Sequence, residues 1–254
     1  MSGIVKTEAL VLTAYKWRDS SKIVHLFSAD HGYLKIIAKG AFRPKSPFRG
    51  VLESLNHVEL IFSQKPSRGL QLATGVTLLN SFFHIRDDLE KTALGFTVLE
   101  IFQKLFPVHE PVAEFFQYTV DLLSALNRKE TLPVNLFLWH FLLQLSDTLG
   151  FGWQLESCLK CRRSPEAFPL RLDLQNGGYT CRNCGGGESS QGVWLTRPQW
   201  ESLQALAVAD SADLPGFDAG PLAQLRPDPA DILLRHLRYH TETPLELKSL
   251  KWYM

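Results

Sequence analysis

Alternating apolar and polar residues run through the first 80 positions of the chain and predict an all-β segment. In the clearest case Val58, Leu60 and Phe62 occupy every second position of one run. Five such runs are separated by turn-forming residues, and the predicted strands are Ile4–Tyr15, Lys22–Ala29, Tyr33–Ala38, Val51–Phe62 and Leu70–Leu79. Five short strands are typical of a small closed barrel such as an OB-fold. A five-stranded SH3-like barrel would give the same pattern, and strand counting does not separate the two.

Beyond Asn80 the apolar spacing changes to three and four residues, which predicts helices. Acidic residues at 87–90 are typical of a helix N-terminus, and the apolar face that follows continues until Pro107. Helices with such wide apolar faces are not stable alone, so we expect them to pack as a bundle. The predicted helices span about 87–106, 111–126, 133–150, 197–208 and 230–241.

The chain has four cysteines, in the pattern Cys158-x2-Cys161-x19-Cys181-x2-Cys184. Each Cys-x2-Cys pair can direct two thiolates at one ion, and two pairs complete a closed tetrahedral zinc site. Four protein ligands leave no open coordination position, so we predict a structural zinc ion. A disulfide is disfavoured because two intervening residues are a strained spacing for a bridge. A redox Cys-x-x-Cys site is disfavoured because the pairs lack a strand–helix context.

The 254 residues carry a net charge of +1, but the charge is unevenly distributed. Residues 1–80 have a net charge of +6, residues 81–150 of −4, and residues 151–254 of −1. An anionic partner would therefore meet the N-terminal part of the chain.

A basic segment, Lys39–Gly50, lies between two predicted strands and contains four cations, two phenylalanines and no acidic residue. In such a loop, cations neutralise phosphates while an aromatic ring stacks on an unpaired base. Arg18, Lys22 and Lys35 could extend the patch. The same composition also fits a solvated loop or a site for an acidic peptide. The candidate DNA-binding residues are Lys35, Lys39, Phe42, Arg43, Lys45 and Arg49.

The whole chain resembles the RecO family of bacterial recombination-mediator proteins. Several short segments carry this resemblance through their order and spacing, together with the four cysteines. They are Glu8–Leu12, Lys22–Ser28, Gly32–Leu34, Ala38–Ala41, Leu78–Phe82, Ile85–Leu89, Leu149–Phe151, Arg235–His240, Pro244–Leu245 and Lys248–Ser249.

The resemblance implies an α+β fold with an N-terminal OB-fold barrel, a helical bundle and an inserted Cys₄ zinc module. The corresponding domains are a DNA-binding barrel at 1–80, a helical domain at 81–154 and 193–254, and the zinc module at 155–192. It also implies binding of single- and double-stranded DNA, annealing of complementary strands, and assistance in loading RecA onto DNA coated by the single-stranded DNA-binding protein. The implied partners are RecR and the C-terminal tail of the single-stranded DNA-binding protein.

Three positions depart from the family pattern. Phe42 stands in the basic loop where the family often has another cation, and Ser54–Asn56 replaces a frequent Pro-Phe pair. Arg162 follows Cys161 where a glycine is frequent, which could alter the turn while leaving the ligands in place.

Two other function classes compete with this interpretation. An enzyme is disfavoured because His236 and His240, spaced i, i+4, lack a His-Glu-x-x-His context, and no phosphate-binding or nucleophile motif is present. Such a pair more often lies on a partly exposed helix surface. A zinc-containing adapter that binds proteins and has little direct contact with DNA remains open, since the helical region is acidic.

The longest uncharged stretch, 131–146, is too short and too polar to span a bilayer, and we expect no membrane association. The first residues run directly into a strand pattern, so no secretory leader is expected. Thiolate ligands are typical of a reducing compartment, and we expect a cytoplasmic, nucleoid-associated protein.

Overall fold

The computed structural model describes residues 3–65, 67–106, 112–185 and 192–252. The chain divides into two compact units, Met1–Lys129 with Glu246–Met254, and Glu130–Leu245. The predicted helical domain of 81–154 is therefore shared between the two units. The predicted helix stop at Pro107 and the predicted helix start near Pro111 lie outside the described residues.

The first unit begins with a closed five-stranded barrel. Its strands follow the order β1-β2-β3-β5-β4, and β4 also pairs with β1. Every pairing is antiparallel except that of β3 with β5, and this order is that of an OB-fold, a Greek-key barrel. The strands are β1 (Gly3–Trp17), β2 (Ser21–Ser28), β3 (Gly32–Ala38), β4 (His57–Gln64) and β5 (Gln71–Asn80).

The first strand closes the barrel by pairing on both edges. Residues 3–10 pair with β4 and residues 9–17 pair with β2, with an irregularity between Val11 and Thr13 that lets the long strand bend. Inward side chains such as Val24, Leu26 and Phe62 are fully buried in the barrel core.

The predicted strand at 51–62 was wrong in its first half, because β4 begins only at His57. The apolar side chains of Leu52 and Leu55 are fully buried, but Leu52 lies in a bend and Leu55 in a turn, so neither belongs to a strand. Leu55 has a φ of 74°, which no strand residue adopts. A Cβ added to Gly95 would lie 3.1 Å from Leu55 Cδ1, so this leucine packs closely against the helix that carries Gly95.

Three helices complete the first unit: α1 (Phe83–Arg86), α2 (Leu89–Leu105) and α3 (Ala113–Leu126). The Asp88 side chain caps α2 by accepting a hydrogen bond from the Lys91 backbone N–H. Phe102 of α2 packs on Phe27 of the barrel, with ring centroids 4.4 Å apart. The helix thus covers part of the outer barrel surface.

The second unit contains four helices and a small sheet among its described residues. Its helices are α4 (Val134–Thr148), α5 (Arg197–Val208), α6 (Gly220–Ala223) and α7 (Pro229–Thr241). Its strands β6 (Leu170–Asp173), β7 (Gly178–Thr180) and β8 (Trp194–Leu195) form a sheet in the order β7-β6-β8. Single 3₁₀ turns lie at Leu214–Gly216 and, in the first unit, at Ser249–Trp252.

Helix ends in this unit follow the local sequence signals. Thr196 and Gln199 form a capping box at the start of α5, which begins at the predicted residue. Asp228 caps α7 and accepts a hydrogen bond from Trp139 Nε1 at 3.1 Å, which joins α7 to α4. Among the described residues, no helix is long and apolar enough to cross a membrane.

Candidate metal centre and nucleic-acid interface

The four cysteines lie on two tight turns that converge. In the first turn the Arg162 N–H donates to Cys158 O at 2.9 Å, and in the second the Gly185 N–H donates to Cys181 O at 2.8 Å. The ligand atoms of all four cysteines lie within 4.8 Å of one another. Residues 186–191, which follow the second cysteine pair, lie outside the described residues.

The spacing of the sulfur atoms fits one ion. Cys161 Sγ and Cys181 Sγ are 3.8 Å apart. A tetrahedral ion with metal–sulfur bonds of about 2.3 Å requires sulfur–sulfur separations of about 3.8 Å. All four cysteines are free, and a sulfur–sulfur bond of about 2.05 Å is far shorter than this separation. The four cysteines could therefore hold a metal ion, and they form no disulfide.

Hydrogen bonds within the cluster shift the pKa values of two cysteines in opposite directions. Burial acts to raise the pKa of Cys158, but hydrogen bonds from the backbone N–H groups of Cys161, Cys181 and Lys160 outweigh it and lower the pKa to about 6. Hydrogen bonds to Cys181 and Cys161 raise the pKa of Cys184 to about 12. The sulfurs are too close to ionise together without a compensating positive charge.

Gly177 lets the module that carries the four cysteines approach α7 closely. A Cβ added to Gly177 would lie 2.8 Å from His236 Cε1, and one added to Gly178 would lie 2.8 Å from Gln154 O. His236 is 1% exposed, and its ring nitrogens lie 2.8 Å from Leu174 O and 2.7 Å from Phe151 O. The expectation of a partly exposed His236 was wrong, since this side chain joins two loops to the helix.

The basic loop, residues 39–50, begins where β3 ends. Its four cations are exposed, and none of them lies within ion-pair distance of a carboxylate in the described part of the chain. Successive turns order the loop, because the Arg43 N–H donates to Gly40 O and the Ser46 N–H donates to Arg43 O. Gly40 has a φ of 71°, which favours glycine. The cations are Lys39, Arg43, Lys45 and Arg49.

The two phenylalanines of the basic loop have different roles. Phe48 is 7% exposed and belongs to the barrel core, whereas Phe42 is 44% exposed. The Phe42 N–H donates to Ser20 O at 3.0 Å, which ties the basic loop to the β1–β2 turn. Only Phe42 can offer a ring face to a ligand.

The three cations that could extend the basic patch, Arg18, Lys22 and Lys35, differ in exposure. Lys35 is exposed on β3, and its Nζ lies 6.0 Å from the centre of the Tyr33 ring. Arg18 is exposed in the β1–β2 turn. Lys22 does not extend the patch, because its buried Nζ donates to Leu52 O and forms an ion pair with Glu53 at 2.7 Å.

Comparison with known proteins gives a consistent result. Residues 1–82 match the family model "Recombination protein O N terminal", and residues 86–250 match "Recombination protein O C terminal". A DNA repair protein RecO of Chlorobium limicola is 30% identical over 85% of this chain and 85% of its own length. The chain belongs to the RecO family. RecO proteins of Salinibacter ruber (35% identical, 58% of this chain, 56% of its own length) and Rhodopirellula baltica (28%, 91% and 89%) are also similar.

The family resemblance predicted from the sequence is thus confirmed, as is the α+β fold with an OB-like barrel. The names of the RecO family models and relatives describe recombination and DNA repair and mention no catalysed reaction.

The departures from the RecO pattern have structural consequences. Arg162 has a φ of 60°, the conformation that favours glycine, and its guanidinium donates to Gln154 Oε1 at 2.6 Å. Asn56 accepts a hydrogen bond from Arg86 Nη2 at 2.8 Å. The same nitrogen donates to Ser54 O at 2.7 Å, so Arg86 anchors the segment that follows the basic loop.

Sequence reasoning missed one feature of this RecO-family barrel. Tyr15, His25 and Tyr33, on three neighbouring strands, form a continuous row of rings on the outer surface. Each residue is separated from the next by a turn, so the sequence does not show that the rings meet. The signal that could have found them is the strand register, because Tyr15 and Tyr33 each lie two residues from a direct partner of His25 and therefore share its face.

Proposed function

We propose that this chain is a DNA-binding recombination mediator in DNA repair. It would anneal complementary single strands and assist loading of RecA onto DNA coated by the single-stranded DNA-binding protein, at the nucleoid in the cytoplasm. The observation that carries the DNA-binding part is the basic loop, which lies beside an OB-fold barrel and presents four exposed cations that have no carboxylate within ion-pair distance among the described residues. The other steps rest on membership of the RecO family.

The chemistry of annealing fits such a surface. Two DNA strands repel each other, and cations that neutralise their phosphates lower this repulsion. The exposed ring of Phe42 adds a face for an unpaired base. The contacts in this proposal are Lys35, Lys39, Phe42, Arg43, Lys45 and Arg49, and no covalent step is involved.

We propose that the ion held by the four cysteines is zinc with a structural role. Thiolate ligands select soft ions, and zinc with four cysteines is a common closed structural site. The ion would supply the positive charge that four converging thiolates require. Cys158, Cys161, Cys181 and Cys184 would each contribute one sulfur, and binding would link the two turns that carry them.

Partner proteins follow from the proposed role. The chain would bind RecR and the C-terminal tail of the single-stranded DNA-binding protein, and would act on RecA indirectly. An acidic tail requires a cation beside an apolar surface, and we place this site outside the barrel. DNA binding would occupy residues 1–80.

The test is fluorescence anisotropy with labelled single-stranded DNA over a series of salt concentrations. The variant replaces Lys39, Arg43, Lys45 and Arg49 with Glu. Each phosphate contact contributes about −0.7 to the slope of log affinity against log salt for single strands, so the variant should lose about 3 from this slope and most of its affinity.

The matched control reverses four exposed cations elsewhere, Arg128, Lys129, Arg235 and Lys251, with the same change in net charge. It should retain most of the affinity and nearly all of the salt slope. Equal losses in both variants would contradict the assignment to the basic loop. Weak binding that neither variant changes would favour the adapter function. Circular dichroism and metal content would confirm that each variant is folded.

A further inference from the structure

Three aromatic side chains form a row across the outer face of the barrel. The ring centroids of Tyr15 and His25 are 5.8 Å apart, and those of His25 and Tyr33 are 5.7 Å apart, both edge to face. Strand register accounts for this placement. Thr13 and Lys35 are the direct partners of His25 on the neighbouring strands, and Tyr15 and Tyr33 lie two residues from these partners on the same face. The row therefore crosses β1, β2 and β3 in turn.

The row continues into exposed residues at both ends. Trp17 lies two residues beyond Tyr15 on the same face of β1, and both side chains are 44% exposed. At the other end the Lys35 ammonium lies 6.0 Å from the centre of the Tyr33 ring. The aromatic surface thus ends at a cation on one side and at the β1–β2 turn on the other.

This turn also contacts the basic loop. The Phe42 N–H donates to Ser20 O, and Trp17 pairs with Ser21 in the register of β1 and β2. The aromatic row and the basic loop are therefore neighbours on one barrel. The turn contains one acidic residue, Asp19, and one cation, Arg18, whereas the basic loop contains four cations.

The aromatic row does not serve as barrel core. Inward residues of the same strands, such as Val24 and Leu26, are fully buried without it. Elsewhere on the outer face, Phe27 is fully buried because Phe102 and Phe106 pack on it. Within the described part of the chain no aromatic ring covers Tyr15 and Trp17 in this way, and both remain 44% exposed next to a basic surface.

We propose that Tyr15 and Trp17 form a stacking platform for the bases of single-stranded DNA, while the backbone of the strand follows Lys35 and the basic loop. The proposal rests on the DNA-binding function proposed above. Alternate residues of a strand are about 6.8 Å apart. This is twice the spacing of about 3.4 Å between stacked bases, which leaves room for one base between the two rings.

His25 and Tyr33 act as positioning residues for this platform. The Tyr33 hydroxyl lies 2.5 Å from His25 Nδ1, and the His25 ring contacts the Tyr15 ring edge to face. Burial, with a smaller contribution from Lys35, lowers the pKa of His25, which keeps the imidazole neutral. A neutral ring whose Nδ1 is hydrogen-bonded to the Tyr33 hydroxyl holds one orientation and supports Tyr15.

The experiment distinguishes contacts to the bases of the DNA from contacts to its phosphates. Binding is measured to a thymidine 20-mer and to an abasic 20-mer with the same number of phosphates, at one salt concentration. Base–aromatic stacking contributes roughly 5- to 150-fold in affinity per base. The variant Tyr15→Ala with Trp17→Ala should therefore lose about tenfold or more on the thymidine strand and should change less than about twofold on the abasic strand.

Two further variants keep the result interpretable. Tyr15→Leu with Trp17→Leu keeps apolar side chains but has no ring, and it should show the same selective loss even if the alanine variant is unstable. Leu78→Ala with Leu79→Ala removes two exposed apolar side chains from β5, and it should bind both strands as the wild type does. Equal losses on both strands, or no loss on the thymidine strand, would overturn the platform.

The charge-reversal variant of the basic loop distinguishes the stacking platform from the proposed DNA-binding site on that loop. Charge reversal should weaken binding to both strands, because both carry phosphates. If charge reversal has no effect and the aromatic variant still loses thymidine binding, the basic-loop site and the backbone path along it fail, while base stacking on Tyr15 and Trp17 stands. If the wild type binds the abasic strand as tightly as the thymidine strand, the platform fails and the loop site stands.

Discussion

At the scale of single residues, Arg162 occupies a conformation that its own side chain disfavours. A left-handed φ costs a non-glycine residue about 1 to 2 kcal/mol, and here the φ is 60°. The hydrogen bond from its guanidinium to Gln154 offsets part of this cost. The turn nevertheless keeps Cys158 and Cys161 in a position where they could hold a metal ion.

Two substitutions at this position test the argument. Both Arg162→Gly and Arg162→Val remove the hydrogen bond to Gln154, but only glycine accepts the left-handed conformation. We expect the valine variant to be less stable than the glycine variant by about 1 to 2 kcal/mol. Urea unfolding of the metal-loaded proteins measures this difference. Equal stabilities would show that the turn relaxes to another conformation.

Residue-scale chemistry was predictable from the sequence where it is local. The two Cys-x2-Cys pairs bring ligands together within one turn each, so spacing alone indicated the cluster. Lys22 was predicted to be a surface cation, but it is buried against Leu52 O, thirty residues away. Phe48 similarly enters the core of the barrel. Such contacts depend on tertiary packing, which single-sequence patterns do not contain.

At the scale of elements, the C-terminal 3₁₀ turn is held on α2 by one carboxylate. Glu100 accepts hydrogen bonds from the backbone N–H groups of Lys248 and Ser249, each at 3.1 Å. Lys104 forms an ion pair with Glu100 at 3.2 Å and donates to Glu246 O. The last segment of the chain is therefore joined to the first unit through α2.

This arrangement predicts a dependence of stability on pH. Burial acts to raise the pKa of Glu100, but the hydrogen bonds from Ser249, Lys248 and Lys104 outweigh it and hold the pKa below its ordinary value of 4.5. The stabilisation is present above pH 4.5 and is lost as the pH falls through the lower folded-state pKa. Glu100→Gln should lose about 1 kcal/mol at neutral pH.

Urea unfolding at several pH values checks this prediction, with hydrogen exchange at 246–252 as a local readout. The difference between wild type and Glu100→Gln should shrink as the pH falls below 4.5. Glu114→Gln, on an exposed site of α3, is the control and should show no such convergence. A difference that stays constant with pH would contradict the role of the carboxylate.

The bounds of elements were predicted correctly where capping residues and apolar periodicity agree. They were predicted wrongly where apolar residues are buried from a turn. Helix α5 runs from Arg197 to Val208 as its pattern indicates, since Thr196 and Pro198 mark its start. Strand β4 begins six residues later than its apolar run, because Leu52 and Leu55 are buried from a turn. An apolar residue shows that a position is buried, and does not show which element buries it.

At the scale of the whole molecule, the two units differ in how the chain builds them. The second unit is one continuous stretch, Glu130–Leu245, and it contains all four cysteines. The first unit is discontinuous, because residues from 246 onward return to it. The domain boundaries expected from the sequence, at 80, 154 and 192, followed changes of element type, whereas the units follow contacts that only the folded chain makes.

A fragment of residues 130–245 should therefore fold alone when supplied with zinc. Since structural zinc contributes directly to folding, we expect a cooperative thermal transition that moves to lower temperature on addition of a chelator. The double variant Cys161→Ser with Cys181→Ser should bind no zinc and should not respond to the chelator. A fragment that is unfolded with zinc bound, or that ignores chelation, would contradict this division of the chain.

The order of the basic loop has a thermodynamic consequence. Its backbone is already fixed to the barrel through Phe42 at one end, and through Leu55 just beyond its other end, where the Leu55 N–H donates to Val11 O. Little conformational freedom remains to be lost when a ligand arrives. Calorimetry should then show a heat-capacity change of binding that reflects only the surface covered, without the large negative contribution of a segment that folds as it binds.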